Sequence, residues 1–355
     1  MNPSQTKHDV AVYIGRFQPF HNGHLALLRH ALASAAQIVV VIGSAHQART
    51  PKNPFSWQER AEMVRLALAD GDAKRVQFLP VRDYFDQPRW VHAVRSGVEA
   101  LVRRPDGAPP RSIALVGHFK DATSEYLSNF PDWALLTQDR LAVADGVHLR
   151  DSIFGCAGQA LEPTLSALVA QTPATTRDFL RAWVALPYFE AMAEEWRVLK
   201  QYRESWKSAP YPPVLVTVDA IVRCSDRVLL IRRGEAPGKG LQAVPGGFID
   251  PRETAFQSTL RELREETRLN LLDMTLRRCL KATAVFDHPD RSLRGRTITL
   301  AHYFDLGDHE LPEVQAADDA ASVAWVDIAR LPAMEDQFHD DHFHMLDHFL
   351  GLTVA

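Results

Sequence analysis

Short, nearly unbroken apolar runs alternate with longer stretches in which apolar residues recur every three or four positions. Val10 to Gly15 is a β-type run, Asn22 to Ala36 carries Leu25, Leu28 and Leu32 at helical spacing, and Gln37 to Gly43 is again almost continuous Val and Ile. The alternation predicts a helix over Ser56–Ala69, a strand over Val76–Val81, a helix over Arg89–Val102 and a strand over Ser112–Gly117. Strands that read as continuous Val/Ile are buried on both faces, as in a parallel sheet covered by helices. A doubly wound, Rossmann-like α/β domain is expected, with its ligand site at the carboxyl ends of the strands.

A long helical stretch, Thr176 to Lys207, ends at Ser208-Ala209-Pro210-Tyr211-Pro212-Pro213. Prolines at this density cannot continue a helix and favour extended backbone. The reading places one domain over 1–207 and a second over 208–355, separable at the proline-rich segment. Beyond it, Val214–Arg223 and Arg227–Arg232 predict a hairpin around Cys224-Ser225-Asp226, Glu253–Thr267 one strong helix, and the remainder further strands: an α+β domain.

Composition adds exclusions. Of 355 residues, 46% are hydrophobic and 24% charged, an ordinary globular mixture, and the net charge of −4 leaves no chain-wide basic footprint for nucleic acid. The best apolar run, Ile38 to Gly43, is six residues long, far short of the ~20 a membrane-spanning helix needs. The polar start, Met1 to Val10, is no secretory signal. Cys156, Cys224 and Cys279 lack disulfide-framework or zinc spacing, so a reducing, cytoplasmic compartment is expected. An assembly of identical copies is compatible with these features.

Between the first predicted strand and helix lies Gly15-Arg16-Phe17-Gln18-Pro19-Phe20-His21-Asn22-Gly23-His24, where α/β sheets bind phosphate. Gly15 allows close backbone approach. His21 and His24, three apart at a helix start, can reach one pocket, and with Arg16 and the helix amides can neutralise a triphosphate. The plainer alternative is that the histidines are caps and the glycines turns.

The segment resembles the nucleotidyltransferase superfamily with the (His/Thr)-x-Gly-His signature. Asn53-Pro54-Phe55-Ser56-Trp57-Gln58-Glu59-Arg60, Trp90 in Gln87-Pro88-Arg89-Trp90-Val91, and Gly117-His118-Phe119-Lys120-Asp121 narrow the resemblance to nicotinamide mononucleotide (NMN) adenylyltransferases. The resemblance implies joining of NMN to ATP, giving NAD and pyrophosphate, by in-line attack without a covalent enzyme intermediate. It implies that Arg16, His21, His24 and Arg150 contact ATP phosphates with Mg²⁺ in attendance. It places Gly15, Phe17, Gly117, His118, Lys120 and Asp121 around the nucleotide, and Trp90 on nicotinamide, where the bland alternative is an ordinary core Trp. The family's second phosphate motif, Ser-Ser/Ala/Gly-Thr-x-x-Arg, aligns with Asp145-Gly146-Val147-His148-Leu149-Arg150. Its arginine is kept but both hydroxyl positions are lost, to Asp145 and Val147, which predicts weakened rather than absent NAD synthesis.

The second constellation is Gly246-Gly247-Phe248-Ile249-Asp250-Pro251-Arg252-Glu253, then Arg261-Glu262-Leu263-Arg264-Glu265-Glu266-Thr267-Arg268-Leu269. On one helix Glu262, Glu265 and Glu266 share a face. Such carboxylates repel unless a cation sits there, and hard divalent ions take oxygen ligands. Arg261, one turn before Glu265, can pair with it. A solvated acidic face with Glu–Arg pairs is the alternative.

These residues resemble the Nudix box, Gly-x5-Glu-x7-Arg-Glu-(apolar)-x-Glu-Glu-x-Gly-(apolar), with Arg268 in place of its last glycine. The flanks Ala209-Pro210-Tyr211-Pro212-Pro213, Pro237-Gly238-Lys239-Gly240-Leu241 and Phe286-Asp287-His288-Pro289-Asp290-Arg291, with Arg294-Gly295-Arg296, are similar to the ADP-ribose pyrophosphatase half of bifunctional NMN adenylyltransferase/Nudix hydrolases. The resemblance implies hydrolysis of ADP-ribose to AMP and ribose 5-phosphate. It implies Mg²⁺, with Mn²⁺ as the alternative ion, on Gly247, Glu262, Glu265 and Glu266. Arg291, Arg294 or Arg296 is a candidate to hold the diphosphate. The partners implied are ATP, NMN, NAD and ADP-ribose, with no nucleic acid and no membrane.

The stretch Phe338 to His348 is histidine-rich. His344 and His348 are spaced to chelate, but without a third ligand a surface or interface helix is expected. Two other functions compete: adenylyl transfer to another phosphate such as phosphopantetheine, and a nucleotide-sensing regulator with an impaired amino-terminal domain.

Overall fold

The structure is a computed structural model describing residues 7–105, 108–117, 128–138 and 145–353. His118, Lys120 and Asp121 lie outside the described residues. The chain divides into two compact units, the first ending at Ala193 and the second beginning at Glu194.

The first unit runs β1 (His8–Gly15), α1 (Asn22–Ser34), β2 (Ala35–Ile42), α2 (Trp57–Leu66), α3 (Asp70–Ala73), β3 (Val76–Pro80), α4 (Gln87–Leu101), β4 (Ile113–Gly117), β5 (Ala134–Thr137), α5 (Gly146–Gly155), α6 (Leu161–Ala167) and α7 (Ala174–Trp183). The sheet order is β3-β2-β1-β4-β5, and every pairing is parallel. Val10, Val12 and Ile14 pack with Val39, Val41 and Leu115 against Val94 and Val98 of α4. Leu25, Leu28, Ala31 and Leu32 form the buried face of α1. Burial on both faces explains the Val/Ile runs. The strand order reverses between β1 and β4, so a crevice opens beyond their carboxyl ends. Gly15, Gly117 and the start of α1 lie at that edge.

The helical stretch expected over Thr176–Lys207 is two helices, α7 and α8 (Tyr188–Ser205). They are separated at Val184-Ala185-Leu186-Pro187, where proline removes a backbone donor. The short β5 and α6 carry no apolar periodicity and were not visible in the pattern.

The second unit contains β6 (Leu215–Cys224), β7 (Arg227–Arg233), β8 (Gln242–Ala243), β9 (Gly246–Phe248), α9 (Ala255–Thr267), α10 (Asp273–Cys279), β10 (Leu280–Phe286), β11 (Thr297–Asp305), β12 (Ala320–Asp327) and α11 (His342–Leu350). Its main sheet order is β10-β11-β6-β7-β12. The predicted hairpin pairs only at Arg223↔Val228 and Cys224↔Arg227. Past those pairs the strands diverge, β9 adding to β6 with Val218 opposite Gly247 and β8 adding to β7. This divergence fixes the backbone of the Gly247 segment as a strand in front of α9.

Two expectations are corrected here. The histidine-rich α11 is a core helix rather than a surface one: Phe343, Met345 and Leu346 are fully buried, packed with Ile221, Leu230 and Phe338, and His344 faces Glu335 at 3.9 Å. Residues 208–213 lie inside the second compact unit rather than at its edge, because the division falls within α8. Among the described residues no helix is long and apolar enough to cross a membrane.

Glu195, on the second-unit part of α8, is pushed up by burial while its carboxylate accepts from the Gly238 N–H. A chain beginning at Glu194 should therefore melt several degrees above one beginning at Pro210, compared by calorimetry. Equal melting temperatures would show that this helical part adds nothing to the second unit.

Candidate active sites

In the first unit the loop Gly15–His21 is shaped by aromatic packing. Phe17 is 1% exposed and holds the left-handed φ of 53°, which L side chains rarely adopt. Its ring lies over Gly15, where a Cβ would meet it at 2.8 Å. Gly15 is thus required by Phe17, and the Phe17 side chain belongs to the core instead of facing a nucleotide. Phe17 meets His24 edge-on at 5.0 Å, and Phe20 stacks on His24 at 5.7 Å.

His21 is the N-cap of α1. Its Nδ1 accepts from the His24 N–H, and His24 Nδ1 accepts from the His21 N–H, both at 3.3 Å. The rings stack at 3.5 Å. The histidines are therefore caps, as the plainer reading had it, and capping makes them useful. With each Nδ1 an acceptor, the neutral tautomer carries its proton on Nε2, a donor suited to phosphate oxygen.

Arg60, marked in sequence only as part of a motif, organises the loop. It is 1% exposed and donates to the carbonyls of Arg16, Gly43, Ser44 and Ser56 at 2.7–3.2 Å. Burial pushes its pKa down to about 10, so it stays charged at neutral pH. Gln18 exchanges two hydrogen bonds with Phe55 at 3.0 Å, and its carbonyl accepts from Arg150 at 2.6 Å. Arg150 is pushed to about 10 by burial, with Arg16 adding repulsion. Arg16 is exposed and acts on both buried arginines. Arg16, His21, His24 and Arg150 are thus gathered around one loop.

Asp145 is the N-cap of α5, its Oδ1 accepting from the Val147 N–H at 3.0 Å. A Cβ on Gly146 would stand 3.1 Å from Gln18 O, so a second helix start adjoins the loop. Asp83 adds a network that no motif announced, accepting from Ser44 Oγ at 2.5 Å and Gln47 Nε2 at 2.9 Å. Trp90, half-buried in the first turns of α4, packs on the sheet core and lies 6.1 Å from Phe130. Gly117, buried, ends β4 beside β1.

In the second unit, α9 begins with a capping box between Thr254 and Gln257. Arg261 is its hub: Nε meets Glu253 at 2.9 Å, and Nη1 meets Glu262 at 2.8 Å and Glu265 at 2.9 Å. Nη2 donates to Phe248 O at 3.1 Å. Burial alone would lower its pKa, but the three carboxylates hold it well above the ordinary arginine value. Glu265 is exposed, whereas Glu266 is 2% exposed and accepts from the Gly246 N–H at 2.9 Å. Burial drives Glu266 up to about 9 and raises Glu262 as well. A Cβ on Gly247 would fall 2.5 Å from Glu262 Oε1, so only glycine lets that carboxylate reach the β9 backbone.

Among the described residues no group of three or more His, Cys, Asp or Glu side chains is gathered closely enough to hold a metal as it stands. Arg261 draws Glu262 and Glu265 toward itself, and Glu266 is tied to β9. The donor set is all oxygen, suited to Mg²⁺ or Mn²⁺, and burial raises Glu262 and Glu266, which a cation would offset. The residues fit a divalent ion once these glutamates turn from their internal partners.

Two arginine expectations change. Arg291 is 5% exposed and forms a bidentate pair with Asp341 at 2.7 and 2.8 Å, which ties the loop before β11 to the start of α11. Arg296 donates to the Asp287 carbonyl and closes its own loop. Among the described residues Arg294 makes no such pair.

A phosphate-binding α/β unit with a paired-histidine loop, followed by a unit with a glutamate helix behind a glycine strand, defines a nucleotidyltransferase joined to a Nudix hydrolase. The Cytidylyltransferase-like family matches residues 12–105 and the NUDIX domain family residues 213–349. The fold is similar to a bifunctional NMN adenylyltransferase/ADP ribose pyrophosphatase from Francisella tularensis, with 32% identity, TM-score 0.86, and coverage of 97% of this chain and 99% of that one. That crystal structure is complexed with AMP and a Mn ion. Over 135 residues the chain is 36% identical to the nicotinamide/nicotinic acid mononucleotide adenylyltransferase of Acinetobacter baylyi, covering 38% of this chain and 69% of that one. Over 138 residues it is 34% identical to the ADP-ribose pyrophosphatase of Methanocaldococcus jannaschii, covering 39% of this chain and 73% of that one. The chain belongs to the family of bifunctional NMN adenylyltransferase/ADP-ribose pyrophosphatases.

Replacing Arg60 by Met strands four carbonyls and should cost about 3 kcal/mol or more. The first unit's melting temperature should then drop by roughly 6–12 °C, and adenylyl transfer should fall with it. An unchanged melting curve would remove Arg60 from the loop's support.

Glu266→Gln keeps an acceptor for the Gly246 N–H but cannot ionise. ADP-ribose hydrolysis at saturating Mg²⁺ should fall a hundredfold or more while NAD synthesis is unchanged. Near-normal hydrolysis would take Glu266 out of the reaction.

Proposed function

We propose that the chain is a cytoplasmic bifunctional enzyme of NAD metabolism, with Arg16, His21, His24 and Arg150 serving one reaction and the α9 glutamates the other. The first unit transfers adenylate from ATP to NMN, releasing NAD and pyrophosphate. The second hydrolyses ADP-ribose to AMP and ribose 5-phosphate. Its partners are small nucleotides, and neither unit calls for nucleic acid or a membrane.

In the first reaction the NMN phosphate attacks the α-phosphorus of ATP in line. The chain supplies position and charge and no nucleophile of its own. The Nε2–H groups of His21 and His24 point donors at the phosphates, Arg16 offers an exposed guanidinium, and Arg150 adds a charge held by Gln18. Trp90 supplies an aromatic face for nicotinamide. In the second reaction a divalent cation on Glu262, Glu265, Glu266 and Gly247 supplies charge neutralisation and activation of the attacking water. Arg261 fixes the approach of Glu262 and Glu265, and β9 holds Gly247 and Glu266 in register. The observation that carries the reading is the reciprocal His21–His24 cap beside Arg16 and Arg150, in one chain with the Arg261-centred glutamates. Product analysis of purified protein with NMN plus ATP, and separately with ADP-ribose, each with Mg²⁺, tests both halves.

Asp145 motivates a second reading, in which the first unit is slow or senses nucleotide. Aspartate caps a helix as well as serine does, so α5 still starts beside the loop. Asp145 nevertheless takes the Val147 N–H and brings negative charge toward a triphosphate. Restoring Ser at 145 and Thr at 147 together should lower the ATP KM or raise turnover, by up to a hundredfold. No gain over an already active wild type would mean that other groups replace the hydroxyls. Absence of NAD synthesis in both proteins, with hydrolysis intact, would favour sensing.

A further inference from the structure

The histidine-rich stretch at the start of α11 plays no part in the chemistry above, yet it meets the strand segment in front of α9. Phe338 forms an isolated parallel bridge with Gln242, and the His339 N–H donates to Gln242 O at 2.9 Å. Two residues further along, the Val244 N–H donates to His342 Nδ1 at 3.2 Å. A side chain thus takes over where backbone pairing stops. Val244 is 1% exposed, so its N–H is shut off from solvent, and a buried donor left without a partner is costly.

The imidazole is both placed and kept neutral by its surroundings. His342 is the first residue of α11, directly after the N-cap Asp341, and the bidentate pair with Arg291 ties Asp341 down. The His342 N–H donates to His339 O at 3.1 Å. Burial, then His339 and Arg291, holds the ring well below its usual pKa, so Nδ1 is free to accept. Asp219 Oδ1 stands 4.0 Å from Nδ1, while Oδ2 accepts from the Thr299 hydroxyl. Beyond Val244 each residue is pinned in turn. Pro245 O accepts from the Ala220 N–H at 2.8 Å, and the Gly246 N–H donates to Glu266 at 2.9 Å. A Cβ on Gly246 would lie 2.3 Å from Val218 O and 2.6 Å from Asp219 Oδ1, so the segment has no slack against β6. A shift at Val244 therefore passes to Gly246 and Gly247.

We propose that His342 is a positioning residue for the second reaction: by accepting the Val244 N–H it sets the Val244–Gly247 backbone against which Glu266 is held. This role rests on the reading of Gly247 and the α9 glutamates as the holders of a divalent ion. His342 acts through the backbone and not on the reacting atoms. Arg261 fixes the glutamates from the helix side, and His342, from far along the chain, fixes the strand side. Groups behind the ligands of a metal commonly tune its affinity in this way. A histidine that merely filled the core would add stability and leave the ion and the turnover alone.

The test uses the full chain with His342→Leu, which removes the acceptor, and His342→Asn, whose Oδ1 falls close to the place of Nδ1. His342→Leu should lower kcat for ADP-ribose by about tenfold to a hundredfold, with KM within about threefold. Mn²⁺ binding without nucleotide, followed by the electron paramagnetic resonance of the free ion, should weaken by about tenfold. His342→Asn should recover most of both. Leu346→Val, in the same buried face of α11, is the control for stability: it should lower the melting temperature comparably and keep kcat within about threefold. If His342→Leu does not fold, His342→Gln replaces it, with its acceptor displaced by one bond, and the same split between kcat and KM is expected. Weakened Mn²⁺ binding with recovery in His342→Asn supports the positioning role even if ADP-ribose proves a poor substrate, an outcome that would instead revise the assigned activity. Unchanged kcat and Mn²⁺ affinity in His342→Leu, no recovery in His342→Asn, or an equal loss of kcat in Leu346→Val would overturn it.

Discussion

Both candidate sites depend on a guanidinium that is spent on the protein's own groups. A guanidinium presents five donors in a rigid plane, so one side chain can tie several segments together. Arg60 does this with four backbone carbonyls from three segments, holding the loop after β1 against the end of β2. Arg261 does it with Glu253, Glu262 and Glu265 and the carbonyl of Phe248, joining α9 to β9. Without these anchors, Arg16 and the histidines in one unit, and the α9 glutamates in the other, would have no fixed geometry.

In the proposed reactions the units treat the same kind of anion in opposite ways. The first would meet phosphate with fixed positive charge: Arg16, Arg150 and two helix N-termini, beside imidazoles whose donors are set by their own capping bonds. The second presents carboxylates, which would attract phosphate only through a bound cation. Burial raises the pKa of Glu266 and of Glu262, a cost that a bound cation would offset. Preorganised charge is most effective where water is thin, and both sites lie against buried backbone.

Departures from the family motifs are absorbed locally. Arg268, in place of a glycine, takes the left-handed φ of 52° and still closes α9 through its N–H to Arg264 O at 2.9 Å. The strain costs about 1 kcal/mol and leaves the glutamates in place. Asp145 similarly preserves the start of α5 while changing the charge there. In both cases the helix boundary survives because capping is a backbone requirement that more than one residue can meet.

By itself the sequence determined the parallel sheet of the first unit, the helix and glutamates of the second, and the two motif loops. These are local properties: Val/Ile runs buried on both faces, apolar spacing along α1 and α9, and residue types at fixed offsets. The families could be named from those offsets alone. Only the tertiary structure decided the roles of residues whose partners are distant in the chain. Arg60, which reads only as part of a motif, and Arg291, which reads as a candidate for the diphosphate, are buried, because carbonyls and a carboxylate far along the chain meet them. Phe17 reads as a ligand contact but fills the core. The histidine-rich α11 reads as surface but closes the second core, since Ile221, Leu230 and Phe338 cover it. Periodicity reports how a segment divides into faces; which face meets solvent, and which charge finds a counter-charge, depends on strands and loops that approach only when the chain is folded.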